Sequence, residues 1–202
     1  MSNPDGVIVG NYRTSISGND LNRQYHAPDT RLHPTVKAIK DLVVSYSFLQ
    51  DQKLLAFIDL HGHSWKKNAF IYGPYYALHN DRYLKMRILP KLLSENTEMF
   101  WYFACKFRNE KSKRKAAWLI LWKEFNLMNS FTLEASFNGF INERRQTNEF
   151  NTQNFLDLGK ILSKSIHDYV MILEAEWFRW FRKAEMLKKW KEEIWRKRKE
   201  EI

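Results

Sequence analysis

The apolar positions of this chain fall into two periods, and the switch between them outlines the fold. "LLAFIDL", Leu54 to Leu60, is a continuous apolar run of the kind that suits a strand covered on both faces, as in a parallel sheet. It ends abruptly in Asp59, His61 and His63, and Gly62 lets the backbone turn there. Ligands in such sheets sit at the carboxyl ends of strands, so His61 stands where chemistry is usually done. Upstream, Asp29, Thr30 and Pro34 break the chain before Val36, Ile39, Leu42, Val43 and Tyr46 recur at helical spacing, and a helix followed by a strand is half of a βαβ unit. "NAFIYG" predicts a second short strand, and "NDRYLKMRILPKLLSENT" a helix interrupted at Pro90. "FWYFACKF" and "AAWLILW" read as strands separated by the basic run "RNEKSKRK". "NSFTLEASFNG" alternates, with Phe131, Leu133 and Ala135 on one side and Ser130, Thr132, Glu134 and Ser136 on the other. From Asn151 a helix is expected, capped by Asn151 or Thr152, with Phe155, Leu158, Leu162, Ile166 and Tyr169 on one face and a continuation into the tail. Residues 1 to 25, punctuated by Pro4, Gly6, Gly10 and Gly18 around the short run Val7 to Val9, read mostly as loop. No internal repeat is present.

Composition narrows the class. With 202 residues, 44% of them hydrophobic and 15% aromatic, a packed globule is expected rather than a disordered chain. The single cysteine, Cys105, excludes an internal disulfide and a cysteine-pair metal site, which points to a reducing compartment and leaves nitrogen and oxygen donors for any zinc. No apolar run approaches the roughly 18 residues of a membrane span, and "MSNPDG" has no signal-peptide character, so a soluble cytoplasmic protein is expected. The net charge is +10, and Trp177 to Ile202 carries ten Lys/Arg against five Asp/Glu, half of that excess. Trp177, Trp180, Phe181, Ala184, Leu187, Trp190 and Ile194 make an apolar stripe there, which predicts a basic amphipathic helix suited to an acidic surface or to packing on the domain. No base-reading module accompanies the tail, which argues against nucleic acid.

Taken alone, His61 beside Asp59 reads as a hydrogen-bonded structural pair. Glu134 is a stronger signal, because an ionised carboxylate on a buried strand costs several kcal/mol unless it is paired or near a metal. The order of four motifs changes the reading: "NPDGVIVGNYR" from Asn3, "GNDLNRQY" from Gly18, "FIDLHGHS" from Phe57 and "NSFTLEASFNG" from Asn129. Together they resemble the zinc carboxypeptidases, and most closely the cytosolic branch, which trims glutamate from tubulin tails. "LHPT" at Leu32, "KNAFIYG" at Lys67, "RILPKLL" at Arg87 and "FLDLGKIL" extend the resemblance over about residues 3 to 170.

The resemblance implies an α/β three-layer sandwich with a mixed, largely parallel sheet, incomplete at its N-terminus, and a C-terminal helix. It divides the chain into the C-terminal part of a catalytic-type domain, residues 1–172, and a basic helical extension, 173–202. Position by position it makes His61 a zinc ligand, Glu134 the general base, Arg13 the side chain that steadies the oxyanion, and Asn22 with Arg23 the pair that grips the terminal carboxylate. These five are expected to converge on one cleft at the sheet's edge. Asp59, on the same strand face, is placed to orient His61 or a neighbouring loop. His63 takes a supporting role, and His26, His33, His79 and His167 are structural or surface residues.

Two departures from the family stand out. Its zinc site needs a His and a Glu spaced H-x-x-E upstream of "NPDG", where this chain has only two residues, and "HAPD", His26 to Asp29, lies in the wrong place to replace them. One zinc ligand is thus present and two are missing. Trp118 stands where the cytosolic branch carries an arginine, which weakens the case for glutamate specificity; Lys111, Lys113, Arg114 and Lys115 beside it are either a partial replacement for that charge or, the favoured reading, a solvated basic loop. The readings that follow are a metallocarboxypeptidase acting on acidic C-terminal tails, cytoplasmic and microtubule- or cilium-associated, or a non-catalytic relative that binds such tails.

Overall fold

The computed structural model describes residues 1–48, 54–109 and 113–174, together with Glu192. It is a mixed α/β structure with a largely parallel four-stranded sheet. The elements are α1 (Pro4–Ile8), α2 (Pro34–Phe48), β1 (Phe57–His63), β2 (Ala69–Gly73), α3 (Arg82–Asn96), β3 (Lys106–Phe107), α4 (Ala117–Phe125), β4 (Ser130–Ser136), β5 (Phe140–Ile141), β6 (Thr147–Asn148) and α5 (Thr152–Glu174). The strand order is β1-β4-β2-β3, so the strands bearing His61 and Glu134 are neighbours. The predicted tail helix from Trp177 to Ile202 lies outside the described residues, Glu192 apart. None of the described helices is long and apolar enough to cross a membrane.

By packing the chain divides into two compact units. The first comprises Met1–His63, Ile71–Met86 and Cys105–Ala135. Its core beside β1 is a cluster of Leu21, Tyr25, Val36, Ala117 and Ile120, with Ile39 and Phe57 against it. Removing this surface from water is what holds the loop of residues 20–25, α2 and α4 together. Gly73 is required at the end of β2, where an added Cβ would stand 2.8 Å from the Phe131 ring. The second unit comprises Ser64–Phe70, Arg87–Ala104 and the chain from Ser136 onward. There Asn68 cross-links three segments: its Nδ2 donates to Glu98 O and Ile141 O, and its Oδ1 accepts the Ile141 N–H. Helix α5 begins as expected at Asn151, whose Oδ1 accepts the Asn154 N–H at 2.9 Å, and buries Leu158, Ser165 and Tyr169.

Four local expectations are corrected. "AAWLILW" is not a strand but the core of α4, because a short run that is apolar on every side carries no period to separate strand from helix. What decides it is tertiary: Asn22 Oδ1 accepts the Ala117 N–H at 2.8 Å and caps the helix from a distant loop, while Asn126 closes it in the left-handed conformation. "FWYFACKF" holds a 3₁₀ turn, Tyr102–Ala104, and only the two-residue β3, paired parallel with β2. Pro90 does not interrupt α3. A proline inside a helix costs about 3 kcal/mol, whereas Met86, Leu89 and Leu93 are fully buried and each such side chain contributes about 1.5–3 kcal/mol. Finally, Val7 belongs to a short helix, α1, which Pro4 starts at its first position.

Candidate active site

All five residues singled out from the sequence lie in the first unit. Strand β1 places Asp59 and His61 on one face, two residues apart, and Asp59 Oδ2 lies 2.7 Å from His61 Nε2. Asn22 Nδ2 approaches the same nitrogen at 3.2 Å. One nitrogen cannot serve both as donor to a carboxylate and as acceptor from an amide. The Asn22 orientation is fixed, because its Oδ1 accepts from Ala117. The shorter, charge-assisted contact with Asp59 therefore keeps the proton on Nε2. Two consequences follow: the neutral ring presents Nδ1 as its acceptor, and the Asn22 amide hydrogens are left for an incoming oxygen.

The electrostatics tie Glu134 to the same place. Burial is the largest influence on His61 and opposes its charge, but the hydrogen bond and charge of Asp59, aided by Glu134, outweigh it and hold the imidazole above its ordinary value. Burial likewise raises the Glu134 carboxyl, against the charges of His61, Lys113 and Arg13. Tyr25, edge-on to Phe57 with centroids 6.3 Å apart, has its hydroxyl pushed up by burial and by the Asp59 charge.

The loop bearing Arg13 is built by the "NPDG" motif. Asn3 Nδ2 donates to Thr14 O at 3.1 Å, Asp5 Oδ2 accepts the Ile16 N–H at 2.9 Å, and Asn11 Nδ2 donates to Thr14 O and Ser15 O. Gly6 is needed because a Cβ there would meet Thr14 O at 2.2 Å. Arg13 Nε then donates to Asp20 Oδ2 at 2.9 Å. The other oxygen of Asp20 accepts the Asn22 N–H at 3.0 Å and starts the 3₁₀ turn Leu21–Arg23. Arg23 Nε is 4.0 Å from Asp20 Oδ2, and Nη1 donates to Asn22 O. Asp20 thus anchors Arg13 and the Asn22–Arg23 turn together. Sequence reasoning passed over it, although an acid two residues before an Asn is a turn signal.

The remaining residues fall as follows. His63 ends β1, half-buried, on the face of Asp59 and His61. Trp118 is a buried core residue of α4 and supplies no cation. His26 and Asp29 of "HAPD" do not form a metal pair: His26 Nδ1 is 3.2 Å from Glu124 Oε1, and Asp29 Oδ1 accepts the Arg31 and Leu32 N–H groups. Arg114 and Lys115 are exposed, as a solvated loop should be, but Lys113 is half-buried over the Tyr72 ring. Among the described residues no group of three or more His, Cys, Asp or Glu side chains could hold a metal ion. A catalytic zinc takes three protein ligands, so the described donors, His61 foremost, do not by themselves fit a resident zinc.

No protein-family model matches the chain. Cytosolic carboxypeptidase 3 of Bos taurus is 38% identical over 174 residues, covering 84% of this chain and 17% of its own length. Cytosolic carboxypeptidase 2 of Xenopus tropicalis is 38% identical over 170 residues, with the same shares. The chain therefore spans less than a fifth of the length of these curated relatives. Among solved structures, the metallo-carboxypeptidase from Burkholderia cenocepacia superposes with a TM-score of 0.70 at 23% identity, over 85% of this chain and 43% of that one. The Pseudomonas aeruginosa metallo-carboxypeptidase in complex with (2-guanidinoethylmercapto)succinic acid gives 0.63 at 19%, over 85% and 44%. The structural likeness shows the carboxypeptidase fold, and with the sequence identities it follows that the chain belongs to the cytosolic carboxypeptidases.

Proposed function

We propose that this chain provides the terminal-carboxylate recognition and the general base of a zinc metallocarboxypeptidase centre that hydrolyses C-terminal residues from polypeptide tails. The observation that carries the reading is the meeting of Asn22 and Asp59 at His61 Nε2, with Glu134 and Arg13 acting electrostatically on the same ring. Arg23 and the Asn22 amide bind the substrate's α-carboxylate, the guanidinium by its planar fork. Arg13, half-exposed and steered by Asp20, supplies donors to the oxygen on which charge develops. Glu134, whose carboxyl burial raises, takes a proton from the attacking water and returns it to the leaving amine. His61 is one zinc donor, with Asp59 fixing its tautomer; two further donors are required for hydrolysis. Glutamate-rich tails such as those of tubulin are the proposed substrates, in the cytoplasm and on microtubules or cilia; the basic character of the chain supports acidic tails, and the cytosolic carboxypeptidase relatives support the cytoplasm.

A second reading, a non-catalytic protein that binds acidic tails, is favoured by one observation, the lack of a metal-holding group among the described residues. Both readings require carboxylate recognition, and calorimetric titration tests it with a peptide ending in a free glutamate and the same peptide amidated. The free acid binds more than tenfold tighter, and Arg23→Ala removes the difference. Equal binding of acid and amide by the parent chain refutes the site. Catalysis is tested in a longer chain carrying an H-x-x-E segment ahead of Asn3. There Glu134→Gln abolishes release of the terminal residue with zinc retained, and loss of both together reassigns Glu134.

A further inference from the structure

We infer that Thr147, on the β5–β6 hairpin, is a phosphorylation site for an arginine-directed protein kinase, and that Lys67 receives the phosphate. Arg144 and Arg145 are the only adjacent arginines in the chain, and Thr147 follows them after one residue, in the run "NERRQTNEF" from Asn142. Kinases of this class hold such arginines with carboxylates of their substrate cleft, a charge pattern that planar guanidinium forks meet with paired hydrogen bonds. Such a spacing also arises by chance, so its place in the fold decides. Arg144, Arg145, Gln146 and Thr147 are all exposed. The strands beside them are short, pairing only Phe140 with Asn148 and Ile141 with Thr147. The tip is closed by Asn142, whose Oδ1 accepts the Gln146 N–H at 2.8 Å and whose carbonyl accepts from Arg145 at 2.9 Å. Arg145 stands at a φ of 59°, a left-handed conformation that is strained in any residue but glycine. A few solvent-exposed bonds and one strained residue let the tip open locally and enter a kinase cleft as an extended segment.

In the closed hairpin Lys67 Nζ donates to Thr147 Oγ1 at 2.7 Å. Opening the tip frees the hydroxyl, and Oγ1 then attacks the γ-phosphorus of ATP. The new O–P bond forms, the bond from that phosphorus to the bridging oxygen breaks with its electron pair going to ADP, and the hydroxyl proton passes to the kinase's catalytic aspartate. The product carries a charge of about −1.5 to −2 at neutral pH. When the hairpin closes again, that charge returns to an ammonium already in place. A hydrogen bond to a neutral hydroxyl thereby becomes an ion pair between the hairpin and the loop that joins β1 to β2. Exposure keeps such a pair weak, so its signature lies in the titration of the phosphate rather than in stability.

The test uses the full chain, γ-labelled ATP and the catalytic subunit of cyclic-AMP-dependent protein kinase. The chain takes up label, and tandem mass spectrometry places it on Thr147. Thr147→Val removes the label and Thr147→Ser keeps it. Replacing Arg144 and Arg145 together by glutamine slows incorporation at least about tenfold, the factor that loss of one charge-assisted hydrogen bond supplies. Phosphorus-31 NMR of the product shows the second ionisation of the phosphate below its ordinary value of about 6, and Lys67→Met returns it there. Label confined to other residues, or label on Thr147 indifferent to the arginines, overturns the inference. An unlabelled chain overturns it as well; if a synthetic peptide of residues 142–150 is labelled all the same, the fold withholds the site. A titration that is the same in the parent and in Lys67→Met removes Lys67 as the receiver.

Discussion

Asn22 joins the fold to the site, and two substitutions there separate its duties. Its Oδ1 caps α4 at Ala117, while its Nδ2 faces the His61 ring. Asn22→Ala removes both. The Ala117 N–H is then left without its acceptor in a residue that is fully buried, a loss of about 1–3 kcal/mol, in line with the 0.5–2 kcal/mol typical of lost helix caps. Asn22→Asp keeps the acceptor and sets a negative charge at a helix N-terminus, worth about 0.3–1 kcal/mol in favour, though beside Asp59 it gains less. Its stability should therefore stay within about 1 kcal/mol of the parent. Binding behaves differently. An aspartate has no hydrogen to donate and repels a carboxylate, so a peptide with a free C-terminus should bind Asn22→Asp at least about tenfold more weakly, the cost of one charge-assisted hydrogen bond. Urea unfolding followed by circular dichroism gives the first quantity and calorimetry the second. An Asn22→Asp variant that unfolds as readily as Asn22→Ala would refute the cap; one that binds peptide like the parent would refute the donor.

Further outcomes can be measured on the same chain. Because the Glu134 carboxyl is raised, its favourable contribution to stability is present below the ordinary carboxylate range and is lost as pH rises through its folded value. Glu134→Gln should therefore melt higher than the parent at pH 7 and level with it at pH 4; equal melting at both would show that burial does not perturb the group. His61 is likewise raised, so its contribution is present below 6.5 and lost as pH climbs through the folded value. Asp59→Asn should bring the His61 titration, read from its ring protons by NMR, to lower pH, and an unmoved titration would remove Asp59 as its partner. Trp118→Ala, emptying a buried site, should cost about 3–5 kcal/mol in denaturant unfolding. After dialysis the chain should retain well under one equivalent of zinc by mass spectrometry; a full equivalent that His61→Ala abolishes would contradict this.

What the sequence disclosed follows from where the deciding forces lie. β4 was legible because its burial is written in neighbouring residues, whereas β1, expected to be covered on both faces, ends the strand order with no residue buried and Leu60 exposed; Asp59 and His61 still share a face by the period of two alone. Arg13, Asn22 and Arg23 sit in loops without period, so only the ordered motifs pointed to them. The helical state of α4 was hidden because its cap comes from Asn22 and its faces are uniformly apolar. Asp20 escaped notice for a related reason: its weight lies in the ion pair with Arg13, which becomes visible only when the loop closes. Lys113 looked like its exposed neighbours until Tyr72 was brought beneath it.

The bond between Asn22 and Ala117 joins residues 95 positions apart, and that span has a meaning for how the protein is made. Closing a loop of this length costs about 4 kcal/mol of chain entropy, far more than one hydrogen bond returns. The bond can form only as Ala117 and Ile120 join Leu21, Tyr25 and Val36 in one apolar cluster. At ribosomal rates of about 5–20 residues per second, the N-terminal loop waits roughly 5–20 s for its partner, with Leu21 and Tyr25 exposed meanwhile. A nascent chain stalled before Ala117 would carry Arg13, Asn22, Arg23 and His61 with their local partners but without the Ala117 bond and the apolar cluster, leaving Leu21 and Tyr25 as a surface for chaperones.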